Sequence, residues 1–337
     1  MTTRRTRSTS KQNGSRQVDR AKVSKVVRKS PNPKLASPKT YFEDTLDHIQ
    51  IPSDYSLPAH FVEAHTSEFI EGVRYIIAKD PSLYRVILHK YFNPFKKTEM
   101  IPKDIDKKEM LLTYWYALIR SVIGQQISGK AQQSIEKKFR DLFEDKPTPQ
   151  AMLSKSEEEL RSAGFSYQKI KYITHISQVF NDPNSDLTKI EFYESNPIDK
   201  IISELTSLKG IGVWSAKMFA LFTLKNLNLF AYDDLGIARG VARYFSRRPQ
   251  YLEELKKRVD ADESKKLLLK KKSTFSSSKG KRDWVPHHDE YVKALGMDFS
   301  PFQLILMLIF WRLGSTNIEV FQGKESDAEQ PVDFSQS

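Results

Sequence analysis

A chain of 337 residues, 39% of them hydrophobic, is long enough for one large domain or two ordinary ones with a sizeable core. It contains no cysteine, which excludes disulfides, thiolate zinc sites and iron–sulfur clusters. No run of about twenty apolar residues occurs, so we expect no transmembrane helix, and the first residues lack the apolar segment of a secretory signal.

The net charge of +12 is concentrated in two polar segments. Residues 1–40 carry a net charge of +11 and residues 264–282 carry +8, which leaves −7 for the rest of the chain. Such basic segments bind phosphate backbones without sequence preference. We expect 1–40 to be a disordered arm that serves as a nuclear-localisation signal or a DNA tether, with a solvated tail of no function as the alternative. We also expect a basic flexible insert at about 260–283 and a disordered tail at 323–337.

From residue 41 to 322 the patterns are helical. Short amphipathic helices are predicted over 61–73 and 84–92, joined by a turn at Asp80-Pro81-Ser82. Apolar residues recur at intervals of three and four within 111–122, 131–142 and 170–180, which indicates helices with one buried face. No alternating strand pattern and no internal repeat occurs. The sequence therefore predicts an all-α protein with two helical lobes and an active-site cleft between them.

Several residues mark the expected ends of these helices. Ser128 is placed as an N-cap, Ser156 and Glu159 form a capping-box pattern, and Gly164 is placed as a stop signal. Pro197 suits a first helical turn. Ser300-Pro301 precedes the last apolar run, and we expect this pair to cap the final helix, which ends near residue 312.

Residues 208–214 read LKGIGVW and lie between two predicted helices. Glycines permit positive φ angles and a close approach of the backbone to a ligand. The N-terminus of the following helix presents N–H groups that suit a DNA phosphate. Spacing alone leaves the alternative of an ordinary helical hairpin in which glycine caps the first helix.

An acidic pair, Asp233 and Asp234, follows about twenty residues later and precedes another apolar helix. One of these aspartates is expected to cap that helix. A functional alternative is a carboxylate held against a sugar, because cleavage of an N-glycosidic bond develops positive charge on the sugar ring. Neither interpretation is decided by the pair alone.

The hairpin segment LKGIGVWSAKMF, followed by FAYDDLGIARG, closely resembles the helix-hairpin-helix (HhH-GPD) DNA glycosylase superfamily, and the resemblance is greatest to fungal members of its 3-methyladenine branch. Further segments that resemble the family are IGQQISGKA, GFSYQKIKYI and the FSPFQ…FWRLGSTN run. The resemblance spans roughly residues 53–317. It implies a monofunctional hydrolase that flips alkylated purines, such as 3-methyladenine and 7-methylguanine, out of duplex DNA and starts base excision repair.

The resemblance assigns roles by position. Asp234 becomes the catalytic carboxylate, and Asp233 a helix cap or a neighbour. Trp214 stands where bifunctional relatives carry a nucleophilic lysine, so no lyase step is expected. Its indole would stack on the flipped base, with core packing as the alternative. Trp115, Met218 and Phe302 complete the expected base pocket, although Met218 and Phe302 replace aromatic residues found in a bacterial relative.

The resemblance also assigns DNA contacts. The residues of the hairpin expected to contact DNA are Lys209, Gly210, Ile211, Gly212, Val213 and Ser215. The loop at 124–128 matches the family's minor-groove wedge, with Gln126 as its tip and Ile127 as its support; a polar turn between helices is the alternative. No cofactor or protein-bound metal is expected, apart from a monovalent cation that backbone carbonyls of the hairpin are able to hold. We expect a nuclear monomer with no membrane association.

Two other functions compete with this interpretation. A glycosylase for oxidised or mismatched bases is disfavoured by Trp214 in place of lysine and by the lack of cluster cysteines. A non-catalytic helix-hairpin-helix DNA-binding module is disfavoured by the presence of Asp234 at the expected spacing.

Overall fold

The structure, a computed structural model, describes residues 46–102, 105–276, 282 and 284–314. The arm predicted at 1–40 and the tail predicted at 323–337 lie outside these residues. The described α-helices are α1 Ala59–Ala64, α2 Ser67–Lys79, α3 Tyr84–Leu88, α4 Lys107–Gly124, α5 Gly129–Arg140, α6 Pro149–Leu153, α7 Glu157–Ser162, α8 Tyr167–Phe180, α9 Ile190–Ser195, α10 Ile198–Leu205, α11 Val213–Phe222, α12 Leu235–Ser246, α13 Pro249–Asp260, α14 Lys266–Leu269, α15 Asp289–Asp298 and α16 Gln303–Leu313.

Local side-chain chemistry determines where several helices begin and end. The hydroxyl of Ser128 accepts the backbone N–H of Ala131 at the start of α5. Ser156 and Glu159 form both bonds of a capping box at the start of α7. Gly164 follows α7 with a φ of +103°, a left-handed conformation that favours glycine. These three sequence-based predictions are confirmed.

The start of the last helix differs from the prediction. α16 begins at Gln303, and the residue in the N-cap position is Phe302, whose side chain makes no capping hydrogen bond. The expectation that Ser300-Pro301 caps this helix is therefore wrong. Burial of its apolar side chains stabilises α16 instead, since every residue from Gln303 to Trp311 is buried.

The helices pack as two groups, in agreement with the predicted lobes. α4 packs on α5, α8 and α9, and α8 packs on α6 and α7. In the second group α16 packs on α2, α3, α12 and α15, while α13 packs on α12 and α15. α11 pairs with α10 and contacts α4, so the hairpin helix adjoins the first group. No strand occurs in the described ranges, which confirms the all-α class.

A single arginine ties two elements of the second group together. The guanidinium of Arg312 in α16 donates to the carbonyl oxygens of Val86, Ile87, Lys90 and Tyr91, at 2.7–3.0 Å. These carbonyls belong to the end of α3 and to the turn after it. Carbonyl groups at a helix end have no hydrogen-bond partner within the helix. Arg312 therefore anchors α3 on α16.

The predicted flexible insert is folded over most of its length. α13 extends to Asp260, α14 follows at Lys266–Leu269, and the carboxylate of Asp289 accepts bonds from Ser273 and Thr274. α13 thus ends where the insert was predicted to begin, and residues 277–281 and 283 lie outside the described part. No helix among the described residues is long and apolar enough to cross a membrane.

Candidate active site and DNA-contact loops

The helical hairpin is formed by α10 and α11 with a turn over 206–212. Gly210 has a φ of +87°, and a Cβ there would lie 2.4 Å from ring atoms of Tyr172. Gly212, in contrast, has an ordinary φ of −88°, and a Cβ there would meet nothing within 4 Å. The fold therefore requires glycine at 210, whereas at 212 it leaves open space for a ligand's backbone to approach.

Only some of the hairpin residues that were predicted to contact DNA are exposed. Lys209, Gly212 and Val213 are exposed, and no side chain caps α11. Ile211 and Ser215 are buried, so their side chains face the protein interior and only their backbone can take part in a contact. The predicted contacts of these two residues with DNA therefore stay a prediction that concerns their backbone groups.

The carboxylate of Asp234 is held by three donors. Its Oδ1 accepts the backbone N–H of Ile237 at 3.0 Å and the indole N–H of Trp311 at 2.8 Å. Its Oδ2 accepts the indole N–H of Trp214 at 2.9 Å. Asp234 is also the N-cap of α12, so the capping role that the sequence left open is present. Since a carboxylate oxygen has two lone pairs, Oδ1 is fully engaged and Oδ2 retains acceptor capacity.

Three helices bring this arrangement together. α12 begins directly after Asp234, α11 supplies Trp214 from its first turn, and α16 supplies Trp311 near its end. The ring of Phe222 lies parallel to that of Trp311, with 6.3 Å between centroids. Both indoles therefore reach the carboxylate from rigid helices, which fixes its orientation.

Asp233 has a different partner. Its carboxylate accepts from the ammonium of Lys217 at 2.6 Å, so Asp233 is a neighbour of the site and not the helix cap. Lys217 also lies over the ring of Tyr232 at 4.9 Å, and Lys293 lies over the same ring at 4.3 Å. Glu290 binds Lys293 at 2.6 Å. Two ion pairs and two cation–π contacts therefore hold the segment just before Asp234.

Only some of the residues that were predicted to line the base pocket are placed where a base could contact them. Trp214 is half-buried beside Asp234, and Met218 is buried one turn later on α11. Trp115 is fully buried, and its indole donates to Ser177 at 3.0 Å. Because Trp115 has no surface that a base could contact, its assignment to the pocket is wrong, and it belongs to the core between α4, α6 and α8.

The aromatic residue of α16 at the carboxylate is Trp311, which the sequence analysis missed. Phe302 lies nine residues earlier, about 13 Å away along the helix axis, and its ring packs on Tyr75 at 5.2 Å. Phe302 is therefore not brought into contact with Asp234, and its pocket role stays a prediction.

The loop between α4 and α5 has the shape expected of a protruding tip. Gln126 is exposed and has a φ of +58°, which is uncommon for a residue with a side chain. Ile127 beside it is half-buried. The amide of Gln125 donates to the carbonyl of Gly210 at 2.8 Å, so this loop touches the hairpin.

Two other features bear on ligands. Among the described residues, no group of three or more histidine, aspartate or glutamate side chains is arranged to hold a metal ion. An open cleft lined by Tyr75, Lys79, Tyr251 and Met297 does not include Asp234. Two ion pairs cross it, Arg248 with Asp80 and Arg258 with Asp298, while Lys79 lies over the ring of Tyr75.

Comparison with known proteins shows which family this chain resembles. A family model described as "HhH-GPD superfamily base excision DNA repair protein" matches residues 119–265. The DNA-3-methyladenine glycosylase of Saccharomyces cerevisiae is 30% identical over 287 residues, which cover 82% of this chain and 90% of that protein. DNA-3-methyladenine glycosylase 1 of Schizosaccharomyces pombe is 31% identical over 150 residues, 44% of this chain and 63% of that protein. The crystal structure of a DNA-3-methyladenine glycosidase from Bacillus halodurans is 23% identical, has a TM-score of 0.46, and matches 74% of this chain and 92% of that one.

Proposed function

Because the chain belongs to the helix-hairpin-helix (HhH-GPD) superfamily of base excision DNA repair proteins, we propose that it is a DNA-3-methyladenine glycosylase. It hydrolyses the N-glycosidic bond of alkylated purines in duplex DNA, and the products are a free base and an abasic site. The observation that carries this proposal is the Asp234 carboxylate, held by two indole N–H groups close to the hairpin.

The chemistry follows from the substrate and the site. A purine methylated at N3 or N7 is cationic, so it departs as a neutral base and needs no strong general acid. Departure leaves positive charge on C1′ and the ring oxygen of the sugar, and a fixed carboxylate stabilises this charge. Asp234 supplies that negative charge, and water then forms the new bond to C1′ and loses one proton to the carboxylate or to solvent.

The hydrogen bonds suggest which carboxylate oxygen acts. Oδ1 accepts from both Ile237 and Trp311, whereas Oδ2 accepts only from Trp214. The remaining lone pair of Oδ2 is therefore the one that faces the sugar cation or orients the attacking water. The donors hold the carboxylate in place before the reaction, so no reorientation is needed at the transition state.

Trp214 also bears on the type of reaction. An indole has no nucleophilic amine, so no Schiff base forms at that position and no lyase step follows. Lys217, the nearest amine on α11, is engaged by Asp233 at 2.6 Å. We propose that the enzyme is monofunctional for these two reasons.

Hydrolysis requires that the base leave the duplex. The uncapped start of α11 and the open space above Gly212 support a role of the hairpin in binding a phosphate. The exposed Gln126 is suited to fill the gap left by the extruded nucleotide. Such contacts position DNA without reading its sequence, which suits a repair enzyme that must act anywhere.

A panel of substrates tests the proposal. We expect release of free 3-methyladenine and 7-methylguanine from methylated duplex DNA, and no release from oxidised or mismatched duplexes. Release from oxidised DNA alone would indicate the competing glycosylase type. Binding without release of any base would indicate a DNA-binding module.

We further propose that the protein acts as a monomer in the nucleus, without a cofactor. The basic segment 1–40 motivates the nuclear assignment. A fluorescent fusion that remains nuclear after deletion of 1–40 would show that this segment is not the signal.

A further inference from the structure

One face of α8 touches both loops that are proposed to contact DNA. Lys169, Tyr172 and His175 recur at intervals of three residues, so their side chains lie on one side of the helix. The ammonium of Lys169 donates to the carbonyl of Ile123 at 2.6 Å, at the end of α4 and just before the loop that carries Gln126.

The other two residues of this row contact the hairpin turn. The ring of Tyr172 fills the space below Gly210, where a Cβ would come within 2.4 Å of it. The Nδ1 atom of His175 accepts the backbone N–H of Lys209 at 3.2 Å. Burial and the nearby charge of Lys209 lower the pKa of His175, so its imidazole is neutral at pH 7 and able to accept this bond.

A direct bond joins the two loops. The amide of Gln125 donates to the carbonyl of Gly210 at 2.8 Å. Gln126, the exposed residue with positive φ, follows Gln125 in the chain. The tip of one loop is therefore attached, through one side chain, to the turn of the other.

We propose that Gln125, Lys169, Tyr172 and His175 form a brace that fixes the distance between the hairpin and the wedge tip. The inference rests on the proposed function, since it assumes that the hairpin holds phosphates while Gln126 fills the gap. Extrusion of a base costs free energy, and a wedge held in place in advance does not lose conformational freedom when it inserts. The four residues are positioning residues, because none of them is assigned to contact the reacting atoms.

The test uses the full chain and substitutions that weaken the brace, Gln125→Ala and Lys169→Met. Lys171→Met is the matched control, since it removes the same charge from an exposed position of the same helix. Lys169→Arg keeps a cationic donor, so its rate of base release should stay close to that of the unmodified protein. Two readouts are needed: single-turnover release of 7-methylguanine from methylated duplex at saturating protein, and the fluorescence of 2-aminopurine placed opposite a stable abasic analogue, which reports insertion of the wedge.

The brace predicts that Gln125→Ala and Lys169→Met lower the single-turnover rate about 5- to 20-fold, as expected for one lost hydrogen bond, the larger value for the charged donor. The fluorescence change on binding should shrink in parallel, while affinity for undamaged duplex stays close to that of Lys171→Met. The melting temperature should fall by a few degrees, as one lost hydrogen bond implies, so the rates are compared well below it. A normal fluorescence change in both variants, or equal losses in Lys171→Met, would refute the brace. If the unmodified protein releases no methylated base, the proposed function fails, and the fluorescence measurement still decides whether the brace places the wedge.

Discussion

The two glycines of the hairpin provide a test in which stability and DNA binding separate. In Gly210→Ala, alanine would have to adopt a φ of +87°, and its Cβ would lie 2.4 Å from the ring of Tyr172. The conformation costs about 1–2 kcal/mol and the overpacking about 1–3 kcal/mol. Allowing for partial relaxation, we expect a loss of about 2–4 kcal/mol in unfolding free energy, or about 5–10 °C in melting temperature.

Gly212→Ala should behave in the opposite way. Its φ of −88° is allowed for alanine, and its Cβ would meet no protein atom within 4 Å. The cost in stability should stay below about 1 kcal/mol, the difference between glycine and alanine as N-cap. The new methyl group would lie where a phosphate approaches the start of α11, so we expect about tenfold weaker binding of duplex DNA, equal to about 1.4 kcal/mol.

Thermal unfolding and fluorescence-anisotropy titrations at one fixed salt concentration measure the two effects. Unchanged DNA affinity in Gly212→Ala would refute the assignment of the hairpin as a phosphate-binding element. Equal destabilisation by both substitutions would refute the distinction between the two glycines.

Three further predictions follow from the structure. His65 is fully buried, its Nε2 accepts the N–H of Phe92, and burial lowers its pKa to about 4. In the unfolded state this histidine binds a proton near pH 6.5, so the free energy of unfolding should fall as pH drops from 6.5 towards 4, by about 2 kcal/mol at pH 5. Urea unfolding of His65→Gln should show a pH dependence that is smaller by this amount. Arg312→Ala should lose at least about 3 kcal/mol in the same assay, because four carbonyl bonds disappear; a loss below 1 kcal/mol would contradict the anchoring role. Borohydride should trap no covalent adduct with abasic DNA, and strand breaks should require alkali; an adduct formed at the rate of base release would overturn the monofunctional assignment.

Much of the fold could be predicted because its signals are local. The capping box of Ser156 and Glu159, the N-cap Ser128 and the stop at Gly164 depend on residues within one helical turn of one another. The hairpin and the position of Asp234 could also be predicted, since they lie twenty residues apart in one recognisable stretch of sequence. Their joint presence, and not either alone, is what favoured a catalytic carboxylate at Asp234 as the prediction.

The rest of the site depends on contacts between distant segments. Trp311 lies 77 residues from Asp234, on a helix that is apolar on nearly every side, so periodicity does not show which side chain faces the carboxylate. Trp115 was misplaced for the same reason, because an aromatic residue on a buried helical face looks identical in sequence whether it lines a pocket or a core. The ion pair of Lys217 with Asp233 joins α11 to the segment before α12, and no spacing rule predicts it.

The central claim is that the charge of Asp234 drives cleavage of the glycosidic bond. The most direct measurement is the single-turnover rate of 7-methylguanine release from methylated duplex for Asp234→Asn, with Asp233→Asn as the matched control. Asparagine keeps the volume and is an equally good N-cap, so folding and DNA affinity should survive, although its NH2 group cannot accept the indole N–H of Trp214 and a small loss of stability is expected. We expect a rate at least about a thousandfold lower for Asp234→Asn, as loss of a fixed charge at the transition state implies, and a change of less than about tenfold for Asp233→Asn. Near-normal release by Asp234→Asn, or loss of activity only in Asp233→Asn, would contradict it.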